Sequence, residues 1–301
     1  GTMPAMREGA SRVVDGGVCQ LHAGGMEAAE DADAFVNFAN PNFGYGCFIT
    51  SCTQEEIMQV CCPEFNVGML HEGCMTSGEV VNVHGVRRFS SYRGYLDTFE
   101  HTGPWTGTPS IQTILTMDAT MCMHFSESRV LRDIRKAYLC FQQCGIVSTG
   151  RWGCGAFGGQ APHKFAQQLV AASLAGCTLR FSTFGEPDRC DEVLAAVAAA
   201  QPSAADLLQA VLLASAAVHA SAAAAARATA AALATARARA TAGRRPRLRP
   251  RPRLGLSGTS RRRSCCSSAI RRRRVTALPR PSRQASMPAT SWMCEPLGYI
   301  V

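Results

Sequence analysis

Between Ala34 and Phe184 the chain alternates short β-rich runs with stretches of helical spacing, and this alternation restricts it to the α/β class. Strands are predicted over residues 34–39, 80–84, 113–117, 145–148 and 178–182. Helical spacing is clearest in "SESRVLRDIRKAYLCFQQC". There Val130, Leu131, Ile134, Tyr138 and Phe141 share one face, while Arg132, Asp133, Arg135 and Lys136 fall largely elsewhere. A second helix is predicted from Pro162, a favoured first-turn residue, through "HKFAQQLVAASLAG". A third covers "EEIMQVCC" before Pro63, and another begins near Ser203, with no packing signal beyond about residue 217.

Charge divides the chain into two parts. Residues 1–217 carry 13 basic against 21 acidic side chains, and residues 218–301 carry 18 against 1. Within the first part, residues 18–217 read as one domain with a core. The second part is rich in Ala, Arg, Pro and Ser, contains no Lys and has few large apolar side chains to bury. It is expected to be a low-complexity, disordered tail. Its arginine runs, Arg261 to Arg263 and Arg271 to Arg274, suit weak contact with nucleic-acid phosphates or a nuclear import signal. Residues 207–226 are nearly uncharged but consist mostly of Ala and Ser and include His219, so no membrane span is expected.

The 15 cysteines form no C-x-x-C pair and no zinc-like spacing with histidine, so no metal site is expected. Cys61, Cys62, Cys122 and Cys140 sit in apolar stretches, as reduced thiols in a core do, which points to a reducing compartment, nuclear or cytoplasmic. The opening residues begin with Gly and lack the apolar core of a signal peptide, as a fragment would.

Two glycine-containing loops lie between a predicted strand and a predicted helix: "ANPNFGYGCFITSCTQEE" and "STGRWGCGAFGGQAP". Glycine lets backbone approach a phosphate, and the helix that follows offers free N–H groups to an anion. Thr53 and Glu56 have the spacing of a capping box at a helix start. The same residues also allow a chemical role: Glu55 and Glu56 beneath a glycine loop can orient a sugar hydroxyl and transfer a proton. Mutual repulsion and burial raise the proton affinity of such a pair, and the helix N-terminus opposes the rise. Among the aromatic residues near the glycines, Trp152 reads as core, and Tyr95 and Phe157 suit either packing or stacking on a base or ribose.

The segment "FANPNFGYGCFITSCTQEEI" resembles the signature of poly(ADP-ribose) glycohydrolases, a glycine triplet followed after a short spacer by Gln-Glu-Glu. Here Gly44, Tyr45 and Gly46 are followed by seven residues and then Gln54, Glu55 and Glu56. The resemblance continues through "PEFNVGML", "FSSYRGY", "LRDIRKAYLCF", "STGRWGCGAFGG" and "STFGE" and covers about residues 20–217. It implies a macrodomain-like core, a mixed β-sheet between helices, with ADP-ribose held at the strand ends. It also implies hydrolysis of ribose–ribose O-glycosidic bonds in poly(ADP-ribose) without a cofactor, acting on that polymer and on ADP-ribosylated proteins. Glu56 corresponds to the general acid/base and Glu55 to the residue that holds ribose hydroxyls. Met26 and Glu27 correspond to a pair that cradles adenine, and Asn40 and Gln54 to groups near the ribose. Gly44 and Gly46 correspond to the first diphosphate loop, and Gly153, Gly155, Ala156 and Phe157 to the second. Tyr95 and Phe184 correspond to aromatics that close over the ligand. The chain departs from the pattern at three positions: Tyr45 replaces the middle glycine, Asn37 an aspartate and Arg151 an asparagine. These departures leave a second expectation beside the hydrolase, a catalytically impaired homologue that binds ADP-ribose or its polymer.

Overall fold

The structure, a computed structural model, describes residues 9–42, 52–70, 73–186 and 188–242. Its strands are β1 (Cys19–His22), β2 (Ala34–Ala39), β3 (Val81–Arg87), β4 (Ser90–Arg93), β5 (Glu100–Pro104), β6 (Ile111–Asp118), β7 (Ile146–Gly150) and β8 (Thr178–Ser182). Its helices are α1 (Gln54–Cys61), α2 (Glu127–Phe141), α3 (Ala161–Ala175), α4 (Cys190–Ala200) and α5 (Ala204–Ala242). Six strands form one mixed sheet in the order β1-β8-β7-β2-β6-β3, parallel except for β3 at the edge, and β4 and β5 form a separate antiparallel pair.

The alternation of side chains along the strands supplies two apolar layers. Ala34 and Val36 of β2, with Leu115 and Met117 of β6, join the layer that contains α2 and α3, where Ile134, Phe141, Phe165 and Leu169 are buried. Phe35 and Ile114 point the other way, onto Ile57, Met58, Cys61 and Phe65. Each Val, Leu, Ile, Phe or Met side chain among these contributes roughly 1.5–3 kcal/mol when fully buried. On α2, Val130, Ile134, Tyr138 and Phe141 face inward as their spacing predicts, but Leu131 is exposed, and Asp133 and Lys136 are fully buried. The two charged residues are inside because they meet counter-charges on other elements. Cys61, Cys62 and Cys140 are buried, whereas Cys122, expected in the same class, is exposed after the end of β6.

Helix α3 begins with Pro162 in its first turn and stops at Gly176, whose φ of 81° lies in the left-handed region. The described residues up to Thr229 belong to one compact unit, and of the second, Ala230–Leu297, the described residues 230–242 are helical backbone. Helix α5 continues past residue 217, and Ala204, Leu207, Val211 and Ser215 form its buried face. By length and composition the stretch Ala204–Ala222, with a mean hydropathy of 1.4, could cross a membrane; its buried face packs on the core, and Leu213 and Val218 are exposed. The arginine runs at 261–263 and 271–274 lie outside the described residues.

The order of the sheet positions the site. β2 pairs with β6 along its whole length but with β7 only at Ala34 and Phe35. Past that point β2 and β7 part at their carboxyl ends, where the chain's strand order reverses, and a crevice opens, as α/β sheets provide at a switch point.

Candidate active site

Gln54 fills part of the gap between β2 and β7. Its side-chain amide donates to the Val36 carbonyl (2.9 Å) and accepts from the Phe38 N–H (2.7 Å), replacing the strand partner that β2 lacks there. This fixes the first turn of α1 against the end of β2 and sets the next two residues, Glu55 and Glu56, in the crevice. Both are buried, at 5% and 7% exposure, and both line a cavity of about 520 Å³.

The two carboxylates have different surroundings. Glu55 accepts from the Asn40 backbone N–H (3.1 Å) with one oxygen and from Asn37 Nδ2 (3.3 Å) with the other. Burial nevertheless pushes its pKa up to about 7; the bonds from Asn40 and Asn37 pull it down, and the charge of Glu56 adds to the rise. Glu56 turns one oxygen to Thr53, accepting from its backbone N–H (2.9 Å) and from its hydroxyl. The carboxylate arm of the capping box is therefore formed by a residue that also lines the cavity. The other oxygen of Glu56 makes no hydrogen bond to the described residues.

Opposite α1, β7 ends at Gly150 and the second glycine loop begins. Trp152, 1% exposed, anchors the loop by donating from its indole to the Met117 carbonyl (2.9 Å). Gly153 has a φ of +73°, and a Cβ there would lie 2.5 Å from the Ala119 Cβ, so both its conformation and its surroundings require glycine. A Cβ at Gly155 would meet nothing within 4 Å, which leaves the loop backbone open to the cavity. His124 holds the Phe157 carbonyl at 2.7 Å. Burial raises the Cys154 pKa to about 11, so this thiol stays protonated at neutral pH.

A charge network lies beneath this loop. Lys164 pairs with Asp133, Lys136 with Asp118, and Arg132 with both aspartates, while Asp133 also accepts from the Thr120 N–H (3.1 and 3.2 Å). Lys164, Lys136 and Asp133 are completely buried. Lys136 and Lys164 are the two lysines of the chain.

The cavity collects Met26, Glu27, Asn40, Gln54, Glu55, Glu56, Tyr95, Gly153, Gly155, Ala156, Phe157 and Phe184 of the expected set. Asn37 is different: it is fully buried behind Glu55, does not line the cavity, and spans Glu55 and the Thr116 hydroxyl. Its side chain is held between Glu55 and Thr116 of the paired strand β6, and Glu55 stands between it and the cavity. Gly44, Tyr45 and Gly46 lie outside the described residues. Ser148 donates to the Met26 carbonyl (2.8 Å) and so positions the Met26–Glu27 turn. Glu27 pairs with Arg88 (3.0 Å) and accepts from the Tyr92 hydroxyl (3.1 Å), and Arg88 lies 4.3 Å from the Trp105 ring centroid. This second assembly was not foreseen, because Arg88 and Trp105 lie far from any glycine loop in sequence. The rings of Tyr95 and Phe184 approach to 6.2 Å at the mouth of the cavity. Phe184 has a φ of 56°, unusual for a bulky residue, and is 57% exposed. Among the described residues no three His, Cys, Asp or Glu side chains converge on a metal-binding arrangement.

The model of the family described as "Poly (ADP-ribose) glycohydrolase (PARG), Macro domain fold" matches residues 11–191. Poly(ADP-ribose) glycohydrolase 1 of Caenorhabditis elegans is 33% identical over 191 residues, covering 53% of this chain and 24% of its own length. Poly(ADP-ribose) glycohydrolase 2 of the same organism is 29% identical over 190 residues, covering 53% of this chain and 39% of its own length. The chain thus spans well under half of these relatives. Among solved structures, poly(ADP-ribose) glycohydrolase from Deinococcus radiodurans in complex with ADP-ribose aligns with a TM-score of 0.42 at 15% identity, covering 64% of this chain and 88% of that one. With the match spanning the sheet, both rims of the crevice and the Gln54-Glu55-Glu56 turn, the chain belongs to the poly(ADP-ribose) glycohydrolase family and has its macro domain fold.

Proposed function

We propose that the protein hydrolyses ribose–ribose O-glycosidic bonds in poly(ADP-ribose) and releases ADP-ribose, with Glu56 as general acid/base. The observation that carries this reading is the pair of buried carboxylates at a helix N-terminus, set opposite a glycine loop in one crevice under Tyr95 and Phe184. Adenine lies toward Met26 and Glu27, the diphosphate toward the Gly153–Phe157 backbone, and the scissile ribose against Glu55 and Glu56.

The surroundings of the two carboxylates support this division of roles. Glu55 has the pKa nearer neutrality, but both its oxygens are turned to Asn37 and Asn40, and it keeps the ribose hydroxyls in register. Glu56 has an oxygen with no partner among the described residues, and reach precedes pKa in choosing a general acid. Glu56 gives its proton to the departing ribose oxygen as the bond to the anomeric carbon breaks through an oxocarbenium-like state. It then takes a proton from the water that attacks that carbon, which restores the acid. The partners in this reading are poly(ADP-ribose) and ADP-ribosylated proteins in the nucleus or cytoplasm. The arginine-rich tail adds weak nucleic-acid contact, and no membrane takes part.

The attachment of one Glu56 oxygen to Thr53, together with Tyr45 in the glycine triplet, favours a second reading, a module that binds ADP-ribose without cleaving the polymer. Chromatography of purified poly(ADP-ribose) after incubation with the full chain separates the two. Free ADP-ribose supports hydrolysis. Intact polymer with measurable ADP-ribose binding supports the module, and Tyr45→Gly then restores release if the first loop is the obstacle.

A further inference from the structure

Arg151 follows directly on β7 and is the one cationic side chain among the described residues that line the cavity, where Glu27, Glu55 and Glu56 are also present. Its guanidinium has two acidic neighbours. Nη1 lies 3.8 Å from Glu186 Oε2, and Nε lies 3.8 Å from Asp188 Oδ2. Both distances exceed hydrogen-bonding reach, and Arg151 Nε and Asp188 Oδ2 are buried atoms without a hydrogen-bond partner. The acidic neighbours differ in freedom: the Asp188 side chain is 6% exposed and the Glu186 side chain 57%. The cations beneath the same loop, Lys164, Lys136 and Arg132, are by contrast committed to buried aspartates. A planar fork of donors with unused hydrogen-bonding capacity therefore stands at the edge of a loop whose backbone is open to the cavity.

We propose that Arg151 determines this cleft's preference for a diphosphate and that Glu186 competes with the ligand for it. The proposal rests on the reading of ADP-ribose as the ligand. Asp188 steadies the Nε end from within, and the Nη groups are directed to a phosphate, with which arginine forms forked, charge-assisted bonds. Glu186 is solvated and holds Arg151 only loosely, so a dianionic ligand displaces it.

Titration calorimetry on the full chain tests this with three probes, ADP-ribose, adenosine and inorganic pyrophosphate, on wild type, Arg151→Gln and Glu186→Gln. Arg151→Gln is expected to weaken ADP-ribose about tenfold, the worth of a charged hydrogen bond, and to weaken pyrophosphate as well. Glu186→Gln is expected to tighten ADP-ribose severalfold, and adenosine binding stays the same in both variants. Opposite effects from two neighbouring substitutions are not produced by a loss of packing. An unchanged ADP-ribose affinity in Arg151→Gln, or an equal loss for adenosine, overturns the role of Arg151. Unchanged or weaker ADP-ribose binding by Glu186→Gln overturns the competition. A folded wild type that binds no ADP-ribose overturns the functional reading itself and this proposal with it.

Discussion

The two rims of the cleft are held by opposite arrangements of charge. On the α1 side, Glu55 and Glu56 are buried against backbone and neutral side chains, and no cation lies within salt-bridge distance of either among the described residues. On the side of the second glycine loop, three cations are each paired with one or both of two buried aspartates, and the loop presents backbone to the cavity. On the unpaired side burial raises the pKa of Glu55 to about 7, whereas on the paired side the buried charges are matched and fix the elements beneath the loop. Burial alone thus does not say what a charge does; the presence or absence of its counter-charge does.

Disrupting the paired side has the largest expected effect. Asp133→Ala leaves Lys164 without its counter-ion and Arg132 with Asp118 alone, and is expected to destabilise the fold by about 3–5 kcal/mol in urea unfolding. A loss below about 1 kcal/mol would show that the network does not hold the loop. The unpaired side is tested through pH. The folded pKa of Glu55, about 7, lies above its ordinary 4.5, so between these values the folded state binds more protons than the unfolded one. Stability from this group is therefore fully present below about pH 4.5 and lost as pH rises through 7, a total of about 3 kcal/mol. Glu55→Gln should remove that slope and be the more stable protein at about pH 8; a wild-type stability flat across this window contradicts the assignment.

Gly153→Ala meets the Ala119 Cβ in a left-handed backbone position and should cost about 1–3 kcal/mol, with ADP-ribose binding weakened beyond what the melting temperature explains. The smallest effect is expected from Thr53→Ala. Loss of the cap at α1 destabilises by about 1 kcal/mol and frees the Glu56 oxygen that Thr53 holds. If turnover rises in that variant, the cap and the catalytic role compete; if it falls, the cap positions the acid.

Periodicity made the main elements legible. Residues 34–39 and 178–182 are strands within the predicted limits, and α2 and α3 lie where their spacing and Pro162 place them. Elements with little apolar contrast were not legible. β1 and β4 have four residues each, β5 is largely exposed, and α4 is alanine-rich with Cys190 and Val197 as its buried residues. Buried charge was also invisible to periodicity, because Asp133 and Lys136 are polar by type and their partners, Lys164 and Asp118, belong to other elements. At the site, the Thr-Gln-Glu-Glu turn reads both as a helix cap and as an acid pair, and in the fold Glu56 is in the cap and on the cavity wall at once. Asn37 shows the limit of transferring roles by position: strand alternation places it next to Glu55, but only the fold shows that Glu55 stands between it and the cavity.

The most direct test of the central claim compares ADP-ribose release from purified poly(ADP-ribose) by wild type, Glu56→Gln and Glu55→Gln, with ADP-ribose affinity measured on the same samples. Wild type is expected to release ADP-ribose, and Glu56→Gln to be slower by about 10²–10⁴-fold while still binding the product. Release by Glu56→Gln at the wild-type rate, or a loss confined to Glu55→Gln, would contradict the assignment of the proton to Glu56.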